Sequence, residues 1–152
     1  ILDEKNFTKI IREKVLIQKI PILGICLGMQ LLAHLGSEGN KNKLSEGLKL
    51  IQGNVESLKK LGTKCILPHV GWNSIKIKKL SSIIKNIPDN TDFYFVHSYA
   101  FTNIKEEYII AEAKYGINFP VIIQYRNVWG TQFHPEKSSK AGQEILKNFI
   151  DC

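Results

Sequence analysis

The sequence predicts an α/β fold with a mixed sheet, and three observations carry that expectation. A helical apolar repeat leads straight into a short continuous apolar run, the pattern of a helix feeding a buried parallel strand. Several short strands then follow one another, punctuated by Gly and Pro. An amphipathic segment over 141–150 closes the chain.

Taken in order, residues 3–18 place Phe7, Ile10, Ile11, Val15 and Ile17 at helical spacing, with Asp3 and Glu4 in the first turn. Pro21 stops that helix. Ile22-Leu23-Gly24-Ile25 reads as the buried parallel strand, 28–35 as a helix and 36–44 as a polar loop. Short strands are expected at 48–51, 54–58, 64–67 and 74–78. A helical turn at 80–87 ends at Pro88-Asp89-Asn90, and 92–96 is an aromatic-rich strand. Segments 108–115 and 121–125 read as paired strands across a Gly-containing turn, 128–133 as one more strand. In the closing helix Ile145, Leu146 and Phe149 face inward.

The 152 residues amount to one domain, without repeats, low-complexity stretches or a linker. No run of 18 apolar residues suggests a membrane span, and the N-terminus lacks the blocks of a signal peptide. The net charge of +7 invites a nucleic-acid reading, which the composition disfavours: of 21 basic residues only Arg12 and Arg126 are arginines. Cys26, Cys65 and Cys152 are odd in number and widely spaced, which argues against a disulfide or zinc framework and for a reducing cytoplasm. Cys65 reads as strand packing, Cys152 as a terminal residue, and His34 and His69 as structural.

The chemistry concentrates in two places. Gly24-Ile25-Cys26-Leu27-Gly28 is a G-x-C-x-G pentapeptide between an expected strand and an expected helix. The serine version of that context is a strained turn that exposes the nucleophile. Both glycines are expected where a Cβ would clash. A thiol there meets free N–H groups that favour the thiolate, and the N–H of Leu27 points at a developing oxyanion. A buried packing Cys between glycines would give the same pentapeptide. The second place is His134-Pro135-Glu136, just past a strand. A thiol needs a base and the base an orienting carboxylate, and residues two apart on an extended segment point the same way. A thiol hydrolase of the α/β-hydrolase type is disfavoured, because there the acid precedes the His.

Residues 21–32, PILGICLGMQLL, resemble the nucleophile segment of class I glutamine amidotransferases. PHVGWN at 68–73, FYFVHSY at 93–99 and QFHPEKS at 132–138 are similar to the glutaminase subunits of imidazole glycerol phosphate synthases, PHVGWN being the discriminating motif. The resemblance covers essentially the whole chain and implies a flavodoxin-like three-layer fold with a mostly parallel central sheet. It also implies a triad of Cys26 as nucleophile, His134 as acid and base, and Glu136 as orienter. Gln30, Glu38, Ser98 and Tyr99 would contact glutamine, with Glu38 on its α-amino group. Trp72, Tyr94 and Lys137 would face a synthase partner, a (β/α)8 barrel, in a heterodimer of histidine biosynthesis. No cofactor, metal, nucleic acid or membrane is implied. An amidotransferase subunit serving amination of a surface-polysaccharide sugar would share all these motifs.

One departure stands out. The family places a P-G-x-G oxyanion strand before the nucleophile, and no P-G-x-G occurs here. Residues 1–152, beginning at Ile1, are therefore expected to be one amidotransferase domain incomplete at its N-terminus by about 50 residues. Such a piece is expected to be inactive by itself. A short pseudoenzyme or a non-catalytic scaffold is the alternative, against which intact Cys26, His134 and Glu136 speak.

Overall fold

A computed structural model describes residues 6–37 and 44–152. Asp3, Glu4, Glu38 and most of the expected 36–44 loop lie outside the described residues. Helix α1 (Phe7–Arg12) runs into a π-helical stretch, Glu13–Ile17, before β1 (Ile22–Ile25) and α2 (Leu27–Leu31). Next come β2 (Leu35–Gly36), β3 (Ser45–Glu46), β4 (Asn54–Ser57) and β5 (His69–Ile77). A 3-10 turn at Ser82–Ile84 precedes β6 (Asp92–His97) and β7 (Tyr99–Thr102). Strands β8 (Ile109–Tyr115), β9 (Ile117–Tyr125) and β10 (Val128–Thr131) lead to a second 3-10 turn, Pro135–Lys137, and to α3 (Ser139–Ile150).

Six strands form one sheet in the order β1-β10-β9-β8-β5-β6, and four form another, β3-β2-β4-β7. The mixed α/β character is as expected, but parallel pairing does not predominate in the described residues. Only β1 with β10 and β2 with β4 run parallel. Short turns, such as that between β8 and β9, permit only antiparallel neighbours. The two faces of the large sheet feed different cores, as alternation along a strand requires. Val128 packs with Val15, Met29, Leu32 and Phe101, while its neighbour Trp129 packs with Phe93, Phe133 and Ile145. Helix α3 lies over the second of these cores; α1, α2 and the smaller sheet enclose the first.

Several local expectations give way to packing. Strand β1 ends the sheet order and is mostly half-buried rather than buried. In the N-terminal helix Val15 is buried, whereas Phe7, Ile10 and Ile17 are exposed. The π-helical turns widen the period beyond 3.6, so spacing chosen for an α-helix loses its face. Helix α2 stops at Leu31, shorter than expected. The apolar run 48–51 is not a strand: its N–H groups take up the carbonyls at the end of that helix. Leu48 N–H donates to Leu31 O at 2.7 Å, and Leu50 and Ile51 N–H donate to Leu32 O. Arg12 ties α1 to the same segment through Leu48 O at 2.6 Å. Segment 64–67 is likewise no strand, and it exposes Ile66 and Cys65. It leads into a cis Leu67-Pro68 bond. Among the described residues no helix is long and apolar enough to cross a membrane.

Candidate functional site

Cys26 sits between the end of β1 and the first residue of α2, with φ 51° and ψ −107°. A non-glycine residue there is strained, and such strain concentrates at functional sites. The strand-to-helix reversal demands it. A Cβ on Gly24 would lie 2.5 Å from Gly28 O and 2.7 Å from Met29 N, so the helix passes directly over this glycine. Gly28 is different: among the described residues nothing outside its own helix lies within 4 Å of a Cβ there, so only Gly24 is sterically required by them.

The parallel pairing of β1 with β10 brings the two chemical segments together. Ile25 is in register with Thr131, and Cys26 N–H donates to Thr131 O at 2.8 Å. Cys26 therefore lies just past the end of one strand, and His134 just past the end of its parallel neighbour, where open α/β sheets place their ligands. Strand β6 then holds both. His134 N–H donates to Tyr94 O at 2.9 Å, and Cys26 Sγ lies 3.6 Å from Val96 O. Carbonyls two residues apart leave the same edge of a strand, about 7 Å from each other.

His134 Nδ1 is 2.7 Å from Glu136 Oε1, so the two side chains do pair. The geometry is not the extended one foreseen. Pro135 starts a 3-10 turn, and that turn folds Glu136 back onto His134. Ser138 braces the loop: its hydroxyl donates to His134 O at 2.6 Å and accepts from Tyr94 N–H at 3.0 Å.

Gln30 is buried and does face this region. Its Nε2 donates to Tyr99 O at 3.2 Å and to Gln132 Oε1 at 3.1 Å. Gln132, fully buried, in turn places Nε2 3.8 Å from Cys26 Sγ. Nothing in the local sequence pattern marks Gln132, although it stands two residues before His134 and so shares its side of the chain. Ser98 links β6 to β7 and accepts Leu58 N–H through its carbonyl. Glu38 lies outside the described residues. A mainly apolar cavity of about 320 Å³ opens beside the elbow, lined by Leu27, Gln30, Leu31, Glu46 and Val55 among others.

Trp72 and Tyr94, opposite each other on β5 and β6, make an edge-to-face pair with centroids 5.9 Å apart. Trp72 is 53 % exposed, so it is no core tryptophan. Lys137 is exposed on the turn after Glu136. Cys152, though exposed, has Sγ 3.0 Å from Ser82 Oγ.

His69 is structural, as expected, but it has an unforeseen partner. Its Nδ1 is 2.9 Å from His97 Nε2, and its ring stacks between Phe95 and Tyr115. Burial lowers both rings to about 4; the Tyr99 carbonyl partly opposes this at His97, while His69 and His134 reinforce it. The sign of the consequence is fixed. The unfolded chain takes up protons from about pH 6.5 and the folded one only near pH 4, so stability falls across that window as the pH drops. The two rings are coupled through their shared bond, so the loss belongs to the pair. Urea unfolding at stepped pH checks this; a flat profile between pH 6.5 and pH 4 would contradict it.

The model of the family "Glutamine amidotransferase class-I" matches residues 4–152. The chain belongs to the class I glutamine amidotransferase family. It is 44% identical over 150 residues to the imidazole glycerol phosphate synthase subunit HisH 1 of Campylobacter jejuni, covering 98% of this chain and 72% of that one. It is 50% identical over 129 residues to subunit HisH of Caldanaerobacter subterraneus, covering 85% of this chain and 61% of that one. A solved glutamine amidotransferase from Thermotoga maritima superposes with a TM-score of 0.64 at 21% identity, covering 97% of this chain and 54% of the other. The chain thus spans little more than half of that amidotransferase, and the likeness speaks for the class I fold.

Proposed function

We propose that this amidotransferase chain hydrolyses glutamine and delivers the ammonia to a synthase partner, as the glutaminase subunit of imidazole glycerol phosphate synthase in histidine biosynthesis. The observation that carries the reading is the pairing of a strained Cys26 elbow with a His134–Glu136 bond of 2.7 Å just past the end of the neighbouring parallel strand. The thiolate of Cys26 adds to the side-chain amide carbon, and the N–H of Leu27 faces the resulting oxyanion. Because α2 is only five residues long, local N–H groups rather than a long helix dipole supply this stabilisation. His134 protonates the amide nitrogen as the C–N bond breaks, leaving ammonia and a γ-glutamyl thioester. His134 then takes a proton from water, the water adds, and glutamate leaves as the thiol reforms. Gln30, Glu38, Ser98 and Tyr99 hold the substrate. Ammonia free in neutral water is mostly protonated and is then no nucleophile, so delivery to a directly attached partner keeps it in its reactive form. Trp72 and Tyr94 form the anchor for that (β/α)8 partner, with Lys137 at its rim.

A glutamine-like diazoketone tests the nucleophile. It should alkylate Cys26 alone, although Cys65 and Cys152 are the more exposed thiols. Equal labelling of all three, read by mass spectrometry, removes the reading. The partner predicts a second result. The full-length subunit should gain more than about tenfold in glutamine turnover when the substrate-loaded synthase binds. Trp72→Ala should weaken association by about 2 kcal/mol, and Lys137→Ala by less than about 1 kcal/mol, in titrations of one subunit with the other.

A further inference from the structure

The buried His69–His97 pair takes no part in the mechanism above, yet its bonds lead to the thiol. His97 Nδ1 lies 2.7 Å from Tyr99 O, and a carbonyl only accepts. That ring nitrogen therefore carries the hydrogen. Burial keeps the ring neutral, so its Nε2 is bare and must accept. The group facing it at 2.9 Å, His69 Nδ1, must then donate. His69 Nε2 is bare in turn and accepts from Asn73 Nδ2 at 3.3 Å, while the same amide donates to Lys114 O at 3.0 Å. Every donor in the chain from Asn73 through His69 and His97 to Tyr99 O points one way, with one tautomer allowed at each ring.

Tyr99 O is the junction. It accepts from His97 and, at 3.2 Å, from Gln30 Nε2. That bond fixes which end of the Gln30 amide is which. Gln30 Nε2 then requires Oε1 of Gln132, and Gln132 is left to turn its Nε2 toward Cys26 Sγ at 3.8 Å. The polarity of the group facing the sulfur matters: an N–H stabilises a thiolate, whereas a carbonyl oxygen in its place opposes one.

We propose that His69 and His97 are positioning residues, a tautomer-locked pair that sets the Tyr99 carbonyl and thereby obliges Gln132 to present its N–H to the Cys26 sulfur. The proposal rests on Cys26 being the nucleophile. Buried polar chains of this kind hold one arrangement because every alternative leaves an unpaired group in a low-dielectric interior.

Nitrogen NMR on the full chain labelled in histidine tests the tautomers directly. Both rings should be Nδ1–H and neutral near pH 7; an Nε2–H tautomer in either overturns the proposal. Kinetics of the full-length enzyme with its synthase test the consequence. His97→Phe keeps the volume and removes the donor; it should lower kcat for glutamine at least about tenfold, with KM changed less than about threefold. His97→Asn, which keeps an N–H near the Nδ1 position, should recover most of the loss. His69→Phe keeps the stacking on Phe95 and Tyr115 and should act like His97→Phe. Full kcat in both phenylalanine variants, with unchanged melting temperatures, overturns the proposal. Cys26→Ser separates the two levels: if it retains activity the nucleophile reading fails, and if it is inactive while the phenylalanine variants are not, only the relay fails.

Discussion

Replacing Cys26 by serine removes glutamine hydrolysis by at least about a thousandfold. Synthesis driven by added ammonium salts through the partner continues at its usual rate. The argument is chemical. A hydroxyl is far less acidic than a thiol, so the local N–H groups that favour a thiolate cannot deliver an alkoxide. His134→Ala should have a comparable effect, because in the proposed mechanism the same ring protonates the departing ammonia and activates water. The double variant is no worse than either single one, since the two groups act as a unit. Glu136→Ala costs less: its half-exposed carboxylate orients the ring through one bond of 2.7 Å and touches no reacting atom. Coupled assays of glutamate release and of partner product, run side by side, check all four. Wild-type glutamate release by Cys26→Ser would contradict the mechanism.

Outside the chemical groups themselves, Gly24→Ala has a large expected effect and Gly28→Ala a small one, although the two flank the same cysteine. The added methyl at position 24 meets Gly28 O at 2.5 Å and Met29 N at 2.7 Å, and both are backbone atoms of α2. Relief requires the helix to lift off β1, which opens the elbow that holds Cys26 in its strained conformation. Such overpacking costs about 3 kcal/mol. Displacing the nucleophile by about 1 Å costs roughly a hundredfold in rate. At position 28 the methyl meets none of the described residues outside its helix. Alanine is also the better helix former, so stability should stay level or rise by up to about 1 kcal/mol. Urea denaturation of the two variants decides the point; equal destabilisation would contradict the assigned geometry.

Local pattern alone determined much of this protein. Alternation and turn residues placed β4, β6 and β8 close to their observed ends, and β9 at its end but not at its start, which lies four residues earlier at Ile117; the amphipathic stripe placed α3. The G-x-C-x-G pentapeptide and the H-P-E triplet marked both halves of the site, because each carries its conformation in adjacent residues: a glycine under a helix, a proline opening a turn. Tertiary structure decided the rest. The run Leu48–Ile51 looks like a strand, but the carbonyls ending α2 claim its N–H groups. Cys65 looks like core and lies exposed in a loop. Gln132 and the His69–His97 pair acquire their meaning only where β5, β6 and β10 converge, and no spacing along the chain reports such distant partners. That Cys26 and His134 come to the same end of the sheet follows from one parallel pairing and one strand edge, contacts that span about a hundred residues and depend on the whole sheet being in register.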